Sequence, residues 1–197
     1  MRPTAHSQVY PSLGIGAEVG WHGRVSLTSL YSPSVYAYMY GYLPGFAPQQ
    51  GLRLTALGQY QFSALRFENT VKTQPRGFED GVSMYSDKQL RLTADYAIPF
   101  SLGDISAFSP LFYIKNFILT PHVDYTILGS GKVRKSSENL YSIGADFTVK
   151  VANLLWFPFD SEVGISYNYN GGSMFDTLSK TSNCQRNQVW FVFKTSL

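Results

Sequence analysis

The chain has 197 residues, with 16 Lys or Arg against 13 Asp or Glu, a formal net charge of +3, 15% charged residues and 16% aromatic residues. So little charge with so many rings excludes a disordered chain, and +3 over this length excludes a basic nucleic-acid binder, so no nucleic-acid partner is expected. One cysteine, Cys184, excludes an intramolecular disulfide framework and a cysteine-rich zinc site.

Two-residue alternation of apolar and polar side chains, the period of half-buried strands, runs along almost the whole chain. The expected strands are 13–21, 24–31, 35–42, 52–62, 90–98, 116–126, 139–151, 160–169 and 188–197, about nine in all. The clearest is 140–151, where Tyr141, Ile143, Ala145, Phe147, Val149 and Val151 alternate with Ser142, Gly144, Asp146, Thr148 and Lys150. In 35–42 the alternate positions are Tyr36, Tyr38, Tyr40 and Tyr42. The joints at 44–45, 129–131 and 170–172 carry ordinary turn chemistry. Short joints at 22–23 and 99–104 contrast with long ones at 63–88 and 170–187, as in outer-membrane barrels with short turns on one rim and long loops on the other.

Alternation alone does not say which face is inside. The polar faces are built from Ser, Thr, Gly, Asn and Gln with isolated charges such as Glu18, Arg53, Asp95, Asp124 and Lys150. A sheet facing water usually carries far more Lys and Glu. The pattern therefore points to a barrel with an apolar outer band, aromatic girdles and a polar lumen. Girdle candidates are Trp156, Phe157 and Phe159 at one joint and Trp190, Phe191 and Phe193 near the end. No run reaches the ~18 apolar residues of a membrane-spanning helix: 111–120 and 151–159 are broken by Lys115, Asn116, Asn153 and Pro158. The segment Met1–His6 has no secretory-signal character, so either the protein is not exported or the chain is not the whole precursor.

The joint 63–88 contains Pro75-Arg76-Gly77-Phe78-Glu79-Asp80-Gly81, and Leu90 to Phe100 follows soon after. Here the sequence resembles the BamA/TamA-like superfamily of outer-membrane assembly proteins, also called the bacterial surface antigen family. That family carries Arg-Gly-Phe/Tyr in a long loop folded into the barrel lumen. Its next strand ends in a motif that Asp95–Pro99 matches with Asp in place of Glu, and a later Phe-Val-Asp-x-Gly resembles His122–Thr126, with the Asp kept and the Gly lost. The family has five strands after the loop, and five are expected here: 89–98, 112–126, 139–151, 160–169 and 188–197.

By parity, Asp95 shares a face with Arg91 and Thr93, and Asp124 shares one with His122 and Thr126, so both carboxylates should enter the lumen from adjacent strands. The resemblance implies that Arg76 pairs with both, tethering the loop through Arg76, Gly77 and Phe78. A planar, permanently charged guanidinium suits that role, and Gly77 allows a sharp turn or close approach. The alternative is a solvated Arg76 with two ordinary lumenal carboxylates.

Other chemistry is thin. His6, His22 and His122 have no metal-ligand spacing, so no metal and no cofactor are expected. His122 and Asp124 are read as a polar lumenal pair without a nucleophile, so no enzyme is expected. Cys184 is expected to be a surface thiol in the last long joint. The terminal strand carries Phe191, Phe193 and Leu197 on one face; barrels resembling this one finish on an aromatic insertion signal, and here Leu197 stands in that place, a departure from the pattern.

The expectation is an all-β, antiparallel transmembrane β-barrel, with 1–197 as the C-terminal portion of a larger barrel. The family has sixteen strands, and nine do not close. Either the native polypeptide extends further or several copies assemble. The implied function is outer-membrane protein assembly or translocation through a lateral strand seam and an Arg-tethered lumenal loop. Implied partners are outer-membrane lipid, client outer-membrane or secreted proteins, and accessory periplasmic proteins. The alternative is a non-catalytic barrel that anchors an upstream soluble domain or forms a passive pore.

Overall fold

A polar side chain at every second residue, over stretches of nine residues or more, satisfies one chemistry on each face of a sheet. The computed structural model describes residues 9–25, 30–62, 73–78, 86–100, 113–129, 137–152, 160–181 and 184–195. Within them lie β1 (Gly14–Val25), β2 (Leu30–Pro44), β3 (Gly51–Gln61), β4 (Lys88–Phe100), β5 (Tyr113–Gly129), β6 (Glu138–Ala152), β7 (Ser161–Gly171), α1 (Phe175–Thr181) and β8 (Asn187–Thr195). The strands form one antiparallel sheet in sequence order, β1-β2-β3-β4-β5-β6-β7-β8. Among the described residues β1 and β8 are the outer members of that order and are not paired to each other.

Among the described residues eight strands stand where about nine are expected in the chain. The difference lies at 22–31. The expected joint at 22–23 is a bulge between His22 and Arg24 that β1 passes through, and 24–31 is divided between the end of β1 and the start of β2. A bulge absorbs one extra residue and bends the strand without ending it. The long joint at 170–187 also contains the short helix α1, in which Phe175 and Leu178, one turn apart, face the same way.

The two faces of the sheet differ in polarity, one apolar and exposed, the other polar and buried. One face presents Ile15, Val19, Met39, Leu54, Leu92, Val123, Ile143, Phe147, Ile165, Phe191 and Phe193, all exposed. The other buries Gln59, Gln89, Thr93, Asp95, His122, Asp124, Thr126, Ser142, Ser166, Asn168 and Asn170. The polar face is concave. It surrounds segment 73–78 and an open cavity of about 760 Å³ that draws its walls from both β1 and β8.

The tyrosine row of β2 belongs to the concave face. Tyr36 and Tyr38 line the cavity, Tyr36 donates to Glu18 Oε1 at 2.8 Å, and the Tyr36 and Tyr40 rings lie across Gly20 and Gly16 of β1. Trp190 also lines the cavity, whereas Phe191 and Phe193 point outward, so only the two phenylalanines share the face expected of a girdle. The girdle candidates Trp156, Phe157 and Phe159, and Leu197 at the terminus, lie outside the described residues.

One apolar cluster sits at a rim of the concave face: Phe78, Leu128, Leu140, Phe175, Leu178 and Cys184, with Met174 against it. Cys184 is therefore buried, not a surface thiol, because α1 folds back over the ends of β5 and β6 and covers it. No helix among the described residues is long and apolar enough to cross a membrane, which says nothing of strands.

Candidate functional site

Register decides which side chains can meet on the concave face. Arg53 of β3 stands opposite Asp95 of β4, Asp95 opposite His122 of β5, and Thr93 opposite Asp124. Asp124 in turn stands opposite Ser142 of β6, and Thr120 opposite Asp146. Three carboxylates thus enter from three neighbouring strands. Asp95 and Asp124 are both fully buried, which is tolerable for charged groups only if cations pair with them.

Segment 73–78 supplies the central cation. The Arg76 guanidinium donates through Nη2 to Asp95 Oδ1 and through Nε to Asp124 Oδ2 at 3.2 Å, while Nη1 lies 3.8 Å from Asp146 Oδ2. The Arg76 backbone N–H also donates to Asp124 Oδ2, at 2.7 Å. Two wall arginines complete the group: Arg53 donates through Nε and Nη2 to Asp95 Oδ2 at 2.9 and 2.7 Å, and Arg91 through Nη2 to Asp124 Oδ2 at 3.0 Å. Three arginines and three aspartates balance in charge, and Arg76 is the one member that comes from outside the wall. Burial disfavours its charged form, but the carboxylates of Asp124 and Asp95 outweigh that and raise its pKa above the ordinary arginine value.

The neighbours of Arg76 fix the rest of the segment. Thr126 Oγ1 donates to the Thr73 carbonyl at 2.8 Å, and Thr73 Oγ1 donates to Gln89 Oε1. Asn170 Nδ2 of β7 donates to the Gly77 carbonyl at 2.8 Å. Phe78 N–H closes a turn onto the Pro75 carbonyl at 3.3 Å, and its ring meets Phe175 edge-on at 6.3 Å. The segment is therefore held at three kinds of contact: a charge cluster at Arg76, an amide clamp at Gly77 and an apolar anchor at Phe78.

Gly77 is confined to glycine for two reasons. Its φ is +86°, and a Cβ there would fall 2.5 Å from Asn170 Oδ1 and 2.9 Å from Asn168 Cβ. Gly77→Ala is expected to destabilise this segment by about 1–3 kcal/mol, the range for a side chain forced into positive φ. The measurement is the rate at which chymotrypsin cuts after Phe78 in detergent, which should rise; an unchanged rate would show that the segment tolerates a Cβ.

His122 touches the charge cluster only at its edge, through Asp146. Its Nε2 lies 2.9 Å from Asn168 Oδ1, and its Nδ1 lies 3.8 Å from Asp146 Oδ2. Its carboxylate neighbour among the described residues is thus Asp146 rather than Asp124. Asn168 Nδ2 donates on to Ser166 Oγ at 3.1 Å, and Ser142 Oγ reaches Asn168 Oδ1 at 3.4 Å. These bonds hold the imidazole of β5 against Asn168 of β7. Among the described residues there is no cluster of three or more His, Cys, Asp or Glu fit to hold a metal ion.

The structure brings Arg76, Asp95 and Asp124 together, with Gly77 and Phe78 docked beside them. No protein-family model, curated protein or solved structure matches the chain. The sequence does not mark Arg53, Arg91 or Asp146 as partners of the cluster. The signal for Arg91 was its shared parity with Asp95, and for Asp146 its place on the polar side of 140–151. Arg53 required the β3–β4 register, which no turn motif in the long intervening joint supplies.

Proposed function

We propose that this chain forms wall of a transmembrane β-barrel in a bacterial outer membrane, of the protein assembly and translocation type. The observation that carries the reading is the polarity of the sheet, with an apolar band outside and buried Asp, His, Asn and Gln inside. In water that arrangement would expose the very side chains that drive folding, whereas in lipid it satisfies both faces. Strands of 9 to 17 residues match the ~9–11 residues needed to cross a bilayer at a tilt.

Segment 73–78 and its arginine support the assembly type specifically. A segment folded into the interior loses conformational freedom, and the charge cluster offsets that loss. Held this way it stiffens β4 to β7 from inside and leaves β1 and β8 as the yielding part of the wall. A client strand would then add at an edge by backbone pairing, with no bond chemistry. The competing reading, a passive pore, is favoured by the open cavity of about 760 Å³.

The two separate in reconstituted liposomes. With the full chain in the bilayer, an unfolded small outer-membrane barrel added from urea should insert faster than into empty liposomes of the same lipid. Arg76→Ala should slow that insertion. Equal rates with and without the chain, together with solute efflux or stepwise conductance, would replace assembly by the pore.

A further inference from the structure

We infer that the cavity on the concave face is a binding site for a small water-soluble organic anion, a carboxylate or phosphate carried on a flat ring. The inference does not rest on the membrane reading above, because the same side chains line the cavity whatever surrounds the sheet.

The charges that reach the cavity are unequal, although the cluster as a whole balances. Arg53, Arg76, Arg91 and Lys194 line it against two carboxylates, Glu18 and Asp146. The three arginine side chains are 35%, 28% and 17% exposed, whereas those of their partners Asp95 and Asp124 are 1% and 0% exposed. The two acids are thus buried behind the guanidiniums, and N–H groups face the open space. Of the lining carboxylates, Glu18 already accepts the Tyr36 hydroxyl at 2.8 Å.

Donors remain for a ligand. Arg53 uses Nε and Nη2 on Asp95, and Arg76 uses Nε and Nη2 on Asp124 and Asp95. Among the described residues neither Nη1 donates a hydrogen bond, and Nη1 of Arg76 stays 3.8 Å from Asp146 Oδ2. The two arginines grip the two oxygens of one carboxylate, Asp95, which holds their guanidiniums side by side. A guanidinium presents its donors in a planar fork, so the remaining edge can take a carboxylate or phosphate oxygen while the first edge keeps Asp95. The Tyr10 ring lies against the flat face of Arg53, 5.1 Å from Cζ, a contact that leaves the in-plane donors untouched.

The walls set the rest of the ligand. Tyr36 and Tyr38 of β2, Leu57 of β3, and Trp190 and Val192 of β8 line the same space. Aromatic and aliphatic side chains around a few placed polar groups, enclosing about 760 Å³, have the make-up and size of a small-molecule pocket. An inorganic anion alone would leave the rings without a partner, and a neutral ring would leave the Nη1 donors unpaired. Charge and ring therefore belong to one molecule.

The test titrates the full chain, in an uncharged detergent, with phenyl phosphate, inorganic phosphate and phenol by calorimetry. Phenyl phosphate should bind tightest of the three, saturate at one per chain and weaken as salt rises. Arg53→Gln removes one Nη1 and leaves Asp95 paired with Arg76, so it should weaken phenyl phosphate about tenfold, the scale of one hydrogen bond to a charged group. Trp190 stands outside the charge cluster, so Trp190→Leu tests the site with that cluster intact. It should weaken phenyl phosphate and leave the weaker binding of inorganic phosphate unchanged.

Absence of saturable binding of phenyl phosphate to the unaltered chain would overturn the proposal. So would equal affinity for phenol, which would mean that the arginines contribute nothing, or equal loss of both phosphates in Trp190→Leu. Displacement of phenyl phosphate by phosphatidic acid at equal phosphate would also overturn it, since the occupant would then be a lipid headgroup.

Discussion

Asp124→Ala is expected to free segment 73–78 from the wall and to cost about 3 kcal/mol of stability, the lower end for removing one partner from a buried ion pair. Asp124 is the most heavily committed carboxylate: it accepts from the Arg76 backbone N–H, from Arg76 Nε and Nη2 and from Arg91 Nη2, one bond more than Asp95. Its own side chain is fully buried, whereas those of Arg76 and Arg91 are 28% and 17% exposed. The arginines left behind can therefore recover some water from the cavity, which keeps the loss at the low end.

The order of effects follows from the same geometry. In Arg76→Ala each buried carboxylate retains a wall arginine, Arg53 for Asp95 and Arg91 for Asp124, and the backbone bond at position 76 survives. That variant should lose less than Asp124→Ala, about 1–3 kcal/mol, the scale of hydrogen bonds to charged groups. Arg91→Ala leaves every contact of Arg76 in place and the segment docked, so it should change least. Chymotrypsin cutting after Phe78, followed alongside urea unfolding in detergent, reads both quantities. Equal cutting of Asp124→Ala and the parent would mean that Phe78 and the Asn170 clamp hold the segment without the charges.

Much of this architecture is written in the chain at the level of parity. In β6 and β7 apolar and polar residues alternate cleanly, and parity alone puts Asp95 and Asp124 on the same side as Thr93 and Thr126. Parity fails where both faces are apolar. In β2, Tyr36, Tyr38 and Tyr40 alternate with Val35, Ala37 and Met39, and aromaticity suggests the lipid side for the tyrosines. They turn inward because β1 offers Gly16 and Gly20 opposite, which makes room for rings, and Glu18, which accepts a phenol hydroxyl.

Other features depend on distant neighbours. The bulge in β1 shows only once His22 and Arg24 are paired with β2, since a Trp-His-Gly-Arg stretch reads equally well as a turn. The burial of Cys184 depends on Phe78 arriving from a segment 106 residues earlier in the chain to meet Phe175 and Leu178. Periodicity reports which face a residue takes in its own strand. It carries no information about what folds down onto that face.

The outward face gives the sharpest physical contrast. Ile143 lies near the middle of β6, between Val123 of β5 and Tyr169 of β7, and all three are exposed. If that face meets hydrocarbon, Ile143→Arg should destabilise the folded chain in lipid vesicles by about 2–4 kcal/mol, the penalty for a cation near the bilayer midplane of a barrel. If the face meets water, the same substitution at an exposed position should change stability by no more than about 0.5 kcal/mol and should improve solubility. Ile143→Leu preserves the apolar surface and should be neutral under either condition. Urea unfolding of the three chains from vesicles, followed by tryptophan fluorescence, measures the difference. A neutral Ile143→Arg would place the apolar face in water and leave the buried Arg76 cluster as the core of a soluble sheet. A loss of the expected size that disappears toward the strand ends would trace the edges of the lipid band, because the penalty falls to about 0–1 kcal/mol at the interfaces.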